Sequence, residues 1–374
     1  TAWDVTTIKD PVYGKDVYSK ERADNEYKSD KFSFDNISFA VPFQFAGKQL
    51  VAAGSYHKRY DVHDYDWNGT HLNPTWQTSE ITEAEIGDTT RTDWSVYTRE
   101  RTGDVYSMNA ALAMKLNNHV QLGFGLSRFS GETDDELMLD RVGYFLTEHG
   151  GENWAFSHDS FLSKATGTSK FSSLQFNFGS IIKFDNFNLG FSVKLPYTIE
   201  REWEYTTHIK TADGSSSSDS SGVDKVDIPA TYNFGLTFKP YSKLTLSFDF
   251  EKTNYNKTTY NLAETDQDSL SQYMKWVDQF ALGFGVEYNL TKRISLLAGY
   301  QSRTTPFIPY GVAIRNRGPS GETYSVGFSV NALMGRFDVS YNYYQLKYYD
   351  AFFTNNNYTL QSLKRLSFGY TIFL

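Results

Sequence analysis

The sequence predicts an all-β fold, a transmembrane antiparallel β-barrel of about 14 strands. Three observations predict it. Large apolar and small polar residues alternate along almost the whole chain. The links between the alternating stretches are short and long by turns. The chain finishes on Leu366-Ser367-Phe368-Gly369-Tyr370-Thr371-Ile372-Phe373-Leu374, where every second residue is large and apolar. Successive side chains of a strand point to opposite faces, so one face of this terminal strand is greasy. In water such an edge invites aggregation. In a membrane barrel one face meets lipid and the edge meets a neighbouring strand.

The strands follow in order. Alternation marks 32–45 and 48–62, with a tight turn at Gly47, then 103–117 and 119–132, with a turn at Asn117-Asn118. The pair 168–185 and 187–207 turns at Asp185-Asn186. The pair 226–239 and 243–256 turns at Pro240-Tyr241-Ser242. The pairs 277–290 with 293–305 and 321–333 with 336–349 turn at Thr291-Lys292 and Gly335, and 360–374 is last. In 243–251, Leu244, Leu246, Phe248 and Phe250 oppose Lys243, Thr245, Ser247, Asp249 and Glu251. A one-residue slip would turn Lys243 into lipid, at about 2–4 kcal/mol for a basic group near the midplane.

Long links fall at 63–102, 133–167, 208–225, 257–276, 306–320 and 350–359. Outer-membrane barrels have short periplasmic turns and longer extracellular loops. The pattern therefore predicts the bacterial outer membrane, extracellular long loops and a periplasmic C-terminus. The strand at 32–45 must then run inward, so an outward strand is expected before it. Thirteen visible strands plus one make 14, the first being truncated near Thr1 to Ile8 with natural sequence expected upstream. Residues 1–374 form one domain on this reading.

Composition agrees. Aromatics are 17% of the 374 residues, with 27 Tyr and 29 Phe, and Tyr and Trp favour the membrane–water boundary. There is no run of about 18 apolar residues, so no membrane helix is expected. The absence of cysteine removes disulfides and thiolate metal sites. A net charge of −8 leaves no basic footprint for nucleic acid.

Two segments resemble the FadL/TodX family of outer-membrane transporters for hydrophobic compounds. One is Ile228-Pro229-Ala230-Thr231-Tyr232-Asn233-Phe234-Gly235-Leu236 with Lys239-Pro240 and Leu244-Thr245-Leu246-Ser247-Phe248-Asp249-Phe250. The other is Gly299-Tyr300-Gln301 with Thr305-Pro306-Phe307-Ile308-Pro309. The resemblance covers about 226–374. It implies a fourteen-stranded barrel, ligand capture by outer loops, sideways exit through the wall, and an N-terminal hatch. No Asn-Pro-Ala stretch of the hatch type occurs here, so the hatch is expected upstream of Thr1.

Several candidate sites stand out. In 133–167, Leu139, Val142, Phe145 and Leu146 fall at helical spacing, which predicts a short amphipathic helix in an extracellular loop. Trp154, Phe156 and Phe161 follow, and so many large apolar groups in an outer loop need burial or a greasy ligand. Phe307 joins this ligand-binding set. Gly54, Pro229 and Pro306 mark a wall kink or lateral exit, since proline cannot donate to a ladder. An ordinary strand end is the alternative for the prolines. Asp64, Asp66 and Asn68 match the first half of a calcium loop, but Thr75 stands where its last acid belongs. No metal or cofactor is expected. Asp134-Asp135-Glu136 reads as a solvated charge run, and 213–222 as a mobile low-complexity tip.

None of the seven histidines falls in a metal or catalytic pattern, so an enzyme is not expected. Passive transport of a hydrophobic small molecule, of fatty acid or hydrocarbon type, is the first reading, with outer-membrane lipid and the ligand as partners. A structural or secretion-associated barrel, binding protein partners through its extracellular loops, is the second. A water-filled diffusion pore is the third.

Overall fold

Ala46 and Gly47 both take positive φ, 50° and 73°. Two such residues make the type I′ turn, whose twist matches that of its flanking strands. The turn joins β1 (Asn36–Phe45) to β2 (Lys48–Asp61). The computed structural model describes residues 32, 34–76, 89–148, 154–263, 276–309, 315–332, 334–352 and 355–373. After β2 come β3 (Asp64–Trp76), β4 (Thr89–Lys115), β5 (Val120–Glu148), β6 (Trp154–Lys183), β7 (Phe187–Lys194), β8 (Tyr197–Thr211) and β9 (Gly214–Ile228). The remainder are β10 (Thr231–Tyr241), β11 (Leu244–Thr253), β12 (Thr259–Asn261), β13 (Gln279–Asn289), β14 (Ile294–Thr304), β15 (Ser320–Ala332), β16 (Gly335–Phe352) and β17 (Asn355–Ile372).

Thirteen strands form a continuous antiparallel wall, in the order β1, β2, β4, β5, β6, β7, β10, β11, β13, β14, β15, β16, β17. These match the alternating stretches of the sequence, except that 187–207 is divided between β7 and β8, and 226–239 between β9 and β10. Among the described residues no ladder joins β17 to β1. No helix among them is long and apolar enough to cross a membrane; the crossing elements are strands.

The wall is inside out relative to a water-soluble sheet. Phe124, Phe178, Phe191, Phe284, Phe328 and Phe368 are exposed on its outer face. Rings on this face pack at a tilt across strands, as in Phe124–Phe178 at 5.2 Å and Phe248–Phe284 at 5.3 Å between ring centroids. Such a surface suits hydrocarbon. Tyr324 and Tyr370 lie on the same face.

Four of the expected long loops, 63–102, 133–167, 208–225 and 350–359, are largely strand over their described residues. β4, β5 and β6 run for 27, 29 and 30 residues, whereas about 9–11 tilted residues cross a bilayer. Roughly two-thirds of each therefore stands beyond the apolar band. There they join an outer sheet ordered β3, β4, β5, β6, β8, β9, β12. Within the predicted loop 63–102 the described residues are thus β3 and upper β4, 77–88 lying outside the described residues, and 213–222 lies in the β8–β9 hairpin. The amphipathic helix predicted within 133–167 is replaced by strand. Its helical spacing has a physical cause in a β-bulge. Trp94 pairs Gly143 and Ser95 pairs Arg141, which leaves Val142 without a partner on β4. The extra residue flips the side-chain parity, so apolar residues spaced by two below the bulge fall out of phase above it.

Candidate functional site

The inner wall changes character halfway up. In its lower part β5 turns Gln121, Gly123, Gly125 and Ser127 inward, and β6 answers with Ile181, Gly179, Asn177 and Gln175. A cavity of about 500 Å³ lies against this surface, bounded also by Asn233, Asp249, Glu251 and Arg303. Arg303 pairs with Glu251 at 2.8 Å, and Lys194 reaches the same carboxylate at 3.4 Å. Asn109 donates to Ser55 Oγ at 3.0 Å. Apart from Ile181, these groups are small, amide or charged, and they offer little to a hydrocarbon.

Along the same strands the two faces exchange polarity. On the outer face of β5, Leu122, Phe124 and Leu126 give way to Arg128, Ser130, Glu132, Asp134 and Glu136. On the inner face, Ser127 gives way to Phe129, which is 4% exposed, and then to Thr133, Asp135, Leu137 and Leu139. Val105, Trp203 and Ile228 are buried beside this upper inner face. The crossover falls where Tyr106 pairs Ser130 and Ser107 pairs Phe129. Below it lipid lies outside the wall; above it water does, and the apolar groups retreat inward.

An ionic network pins the upper inner face across β4, β5, β6, β8 and β9. Arg101 grips Asp135 with Nε and Nη2, at 2.6 and 3.1 Å. Thr133, Ser169 and Tyr205 hydroxyls also donate to Asp135, at 3.0, 2.6 and 2.5 Å. Arg201 donates to Ser169 Oγ at 3.0 Å, to Asp224 at 3.1 Å and to the Tyr205 hydroxyl. Burial alone would raise the Asp135 carboxyl, but hydrogen bonds from Arg101, Ser169 and Tyr205 outweigh it and hold the group at about 2. Two arginines balance two aspartates, so the network leaves no net charge. The run Asp134-Asp135-Glu136 is accordingly not uniformly solvated, because its middle member is buried.

Pro229 sits at a real interruption of the wall. Tyr197 lies opposite Ile228, and Lys194 opposite Thr231. Between these pairs come Leu195-Pro196 on one strand and Pro229-Ala230 on the other, so the two prolines face each other. Neither has an N–H to donate. Leu195 N instead bonds Phe176 O of β6 at 2.8 Å. The break adjoins Gln175, the partner of Ser127, and so lies level with the polarity crossover. Sequence reasoning found Pro229 but not Pro196, whose position opposite it depends on register.

The other predicted residues are dispersed. Leu139 and Phe161 share the inner face with Asp135, and Arg141 stands over the Phe161 ring at 4.8 Å. Leu146 returns to that face above the bulge at Val142. Phe145 and Phe156 are on the opposite face, Phe145 stacked on Trp94 at 6.2 Å and Phe156 tilted against both, at 5.0 Å from Phe145 and 6.1 Å from Trp94. Trp154 opens β6 at its outer end. Phe307 packs edge-on against Tyr348 at 5.2 Å, away from the others. Gly54 is not a kink: its pairs with Phe39 and Ala110 continue unbroken registers. A Cβ there would come within 2.7 Å of the Phe39 ring, which lies across it. Pro306 lies just past the end of β14, where its carbonyl accepts from Val277 N at 2.8 Å; it is a strand end.

The calcium-loop reading also fails locally. Asp64 to Asn68 are paired strand residues opposite Arg101 to Tyr97, and Asp64 is ion-paired with Arg99 at 2.8 Å. A different trio, Asp61, His63 and Asp104, does gather ligand-type atoms. The Lys58 ammonium already sits among them, 2.7 Å from Asp104 and 3.3 Å from Asp61, so a protein cation fills the place a metal would take.

Comparison with known proteins places this architecture. No curated protein sequence matches the chain. Among solved structures, a Pseudomonas aeruginosa FadL homologue superposes with a TM-score of 0.57 at 15% identity, over 87% of this chain and 89% of that one. The P. putida toluene transporter TodX superposes with a TM-score of 0.51 at 12% identity, over 90% and 87%. At such identities the likeness shows the fold. A family model for outer membrane protein transport proteins (OMPP1/FadL/TodX) matches residues 75–371. The chain belongs to this family of outer-membrane β-barrel transporters for hydrophobic compounds.

Proposed function

We propose that the protein takes up hydrophobic small molecules passively, holding them on the upper inner face and releasing them sideways through the wall at Pro196 and Pro229. The single observation that carries this reading is a coincidence of level. The apolar inner face ends where the polar lumen begins, and there the ladder lacks its rungs. A hydrocarbon descending further would lose about 25 cal/mol for each Å² of apolar surface it had buried. Sideways, the lipid phase takes the same surface at little cost. The tight turns then lie in the periplasm and the extended hairpins outside the cell. No residue in this path performs chemistry.

Replacing Pro196 and Pro229 together by threonine restores two donors and lets the ladder close. Uptake of a radiolabelled hydrocarbon into cells carrying this variant should fall about five-fold or more, about 1 kcal/mol in the barrier to passage. Unchanged uptake at equal surface abundance would show that the ligand leaves elsewhere.

The outer aromatic patch of Trp94, Phe145 and Phe156 supports a second reading, in which the extended sheet also docks a protein on the cell surface. Loss of surface association on Phe156→Ser, with uptake intact, would favour it.

A further inference from the structure

We infer that Tyr60, Phe129, Tyr197 and Tyr255 form a partition across the interior, which closes the lumen to water and ions and turns an apolar cargo toward the break in the wall. The routing role rests on the uptake reading; the closure stands apart from it.

The four rings come from alternate places in the wall, whose order begins β1, β2, β4, β5, β6, β7, β10, β11. Tyr60 belongs to β2 and Phe129 to β5. Tyr197 opens β8, which follows β7 and pairs with β6 above it. Tyr255 comes just past the end of β11. β2 and β11 lie on opposite sides of the barrel, so rings from both must reach across the lumen to approach each other.

They do approach. The Phe129 ring lies 6.5 Å from Tyr60 and 5.8 Å from Tyr197 between centroids. Tyr60 and Tyr197 share a side-chain hydrogen bond, and Tyr255 is within electrostatic reach of both. The Arg59 guanidinium carbon stands 5.3 Å from the centre of the Tyr60 ring and 5.6 Å from that of Phe129, a cation held between two aromatic neighbours. Trp276 meets Tyr255 edge-on at 5.5 Å and Tyr260 likewise at 5.5 Å, which braces Tyr255 from its other side.

Three of the rings owe their direction to breaks in their strands. Lys58 pairs Tyr106 and Tyr60 pairs Val105, which leaves Arg59 without a partner on β4. This second bulge reverses the side-chain parity. Tyr56 faces outward, stacked on Tyr106 at 5.2 Å, whereas Tyr60 lies opposite the buried Val105. Tyr197 follows Pro196, and Tyr255 sits in the short 3-10 turn where β11 stops. Irregularities at three separate points thus set aromatic rings at one level, and that level is the polarity crossover. Below it, Tyr255 is within electrostatic reach of Glu251 and Arg303, which bound the polar cavity. Above it, Phe129 begins the apolar inner face. An ion passing between these rings would have to shed its hydration.

Conductance of potassium chloride through the purified barrel in planar bilayers tests the inference. The unaltered protein should show no steady channel. The pair Tyr60→Ala and Tyr255→Ala, with heat-modifiable gel mobility intact, should conduct about ten-fold or more above it, since a wide barrel left unfilled is an aqueous channel. If that pair fails to fold, Phe129→Ala with Tyr197→Ala takes its place, with the same rise expected. The pair Tyr60→Phe and Tyr255→Phe keeps the rings and should stay closed. A steady open channel in the unaltered protein, or a folded alanine pair that conducts no better, would overturn the inference. Opening by the phenylalanine pair would overturn the assignment of the closure to the rings. Uptake of a radiolabelled hydrocarbon by the unaltered protein is measured alongside. Its absence would remove the uptake reading and the routing role with it, whereas uptake beside a silent alanine pair would overturn the partition alone.

Discussion

The lower and upper halves of β4, β5 and β6 are the same strands in two solvents. In the lower half, Phe124 and Phe178 face outward and are 41% and 47% exposed, while Gly123 and Gly179 face inward. In the upper half, Asp134 and Glu136 face outward, and Asp135 and Leu139 inward. Hydrogen bonding along the ladder is continuous through the change. The backbone therefore does not register the boundary; only the side chains do. A barrel wall that outlasts its membrane must exchange its faces, because water replaces lipid outside and the apolar groups have only the interior left.

The largest way to break this contrast is Asp135→Ala. It strands Arg101 without its carboxylate and leaves Arg201 with Asp224 alone, and removing one partner of a buried pair costs about 3–5 kcal/mol. Hydrogen exchange should quicken across 129–140 and 165–173, while heat-modifiable mobility, a property of the wall below, stays as it was. If exchange slowed or did not change, the network would not be what holds the outer sheet.

A smaller effect sharpens the boundary itself. Phe178→Arg puts a guanidinium into lipid, at about 2–4 kcal/mol in refolding equilibria measured in liposomes. Thr168→Arg, ten residues along the same face of β6, should cost less than about 0.5 kcal/mol because water lies there. Equal costs at the two positions would mean that the bilayer edge has been placed wrongly.

The smallest effect concerns pH. The Asp135 carboxyl is held below its ordinary value of 3.8, at about 2. Its contribution is therefore fully present above pH 4 and fades as pH falls through 2. Exchange in the outer sheet should be insensitive to pH over the range 5–9, once corrected for intrinsic rates, and should rise only in strong acid.

Most of the wall was legible because lipid enforces a period of two on its strands. Leu244, Leu246, Phe248 and Phe250 show it without interruption. The upper strands were illegible for the complementary reason. With water outside, Asp134 and Glu136 flank a buried Asp135 that belongs to the same residue class, so alternation carries no contrast. The bulge at Val142 then shifts the phase and makes Leu139, Val142, Phe145 and Leu146 resemble one helical stripe. Of the candidate site, Pro229, Leu139 and Phe161 were visible as residue types, but not the companions that give them meaning. Pro196 faces Pro229 only through a shared register.

The great length of β5 and β6 also bears on how the protein reaches its final place. Their upper parts stand beyond the apolar band, so a route that carries them across the bilayer takes Asp134, Glu136 and Lys164 through hydrocarbon. A solitary strand would drag unbonded peptide groups and naked charge along with it. Delivered as a zipped hairpin, the pair carries its own hydrogen bonds and its own counterion, since Lys164 meets Glu136 at 2.9 Å. A wall of this build is therefore easier to carry across a bilayer as paired hairpins than as single strands.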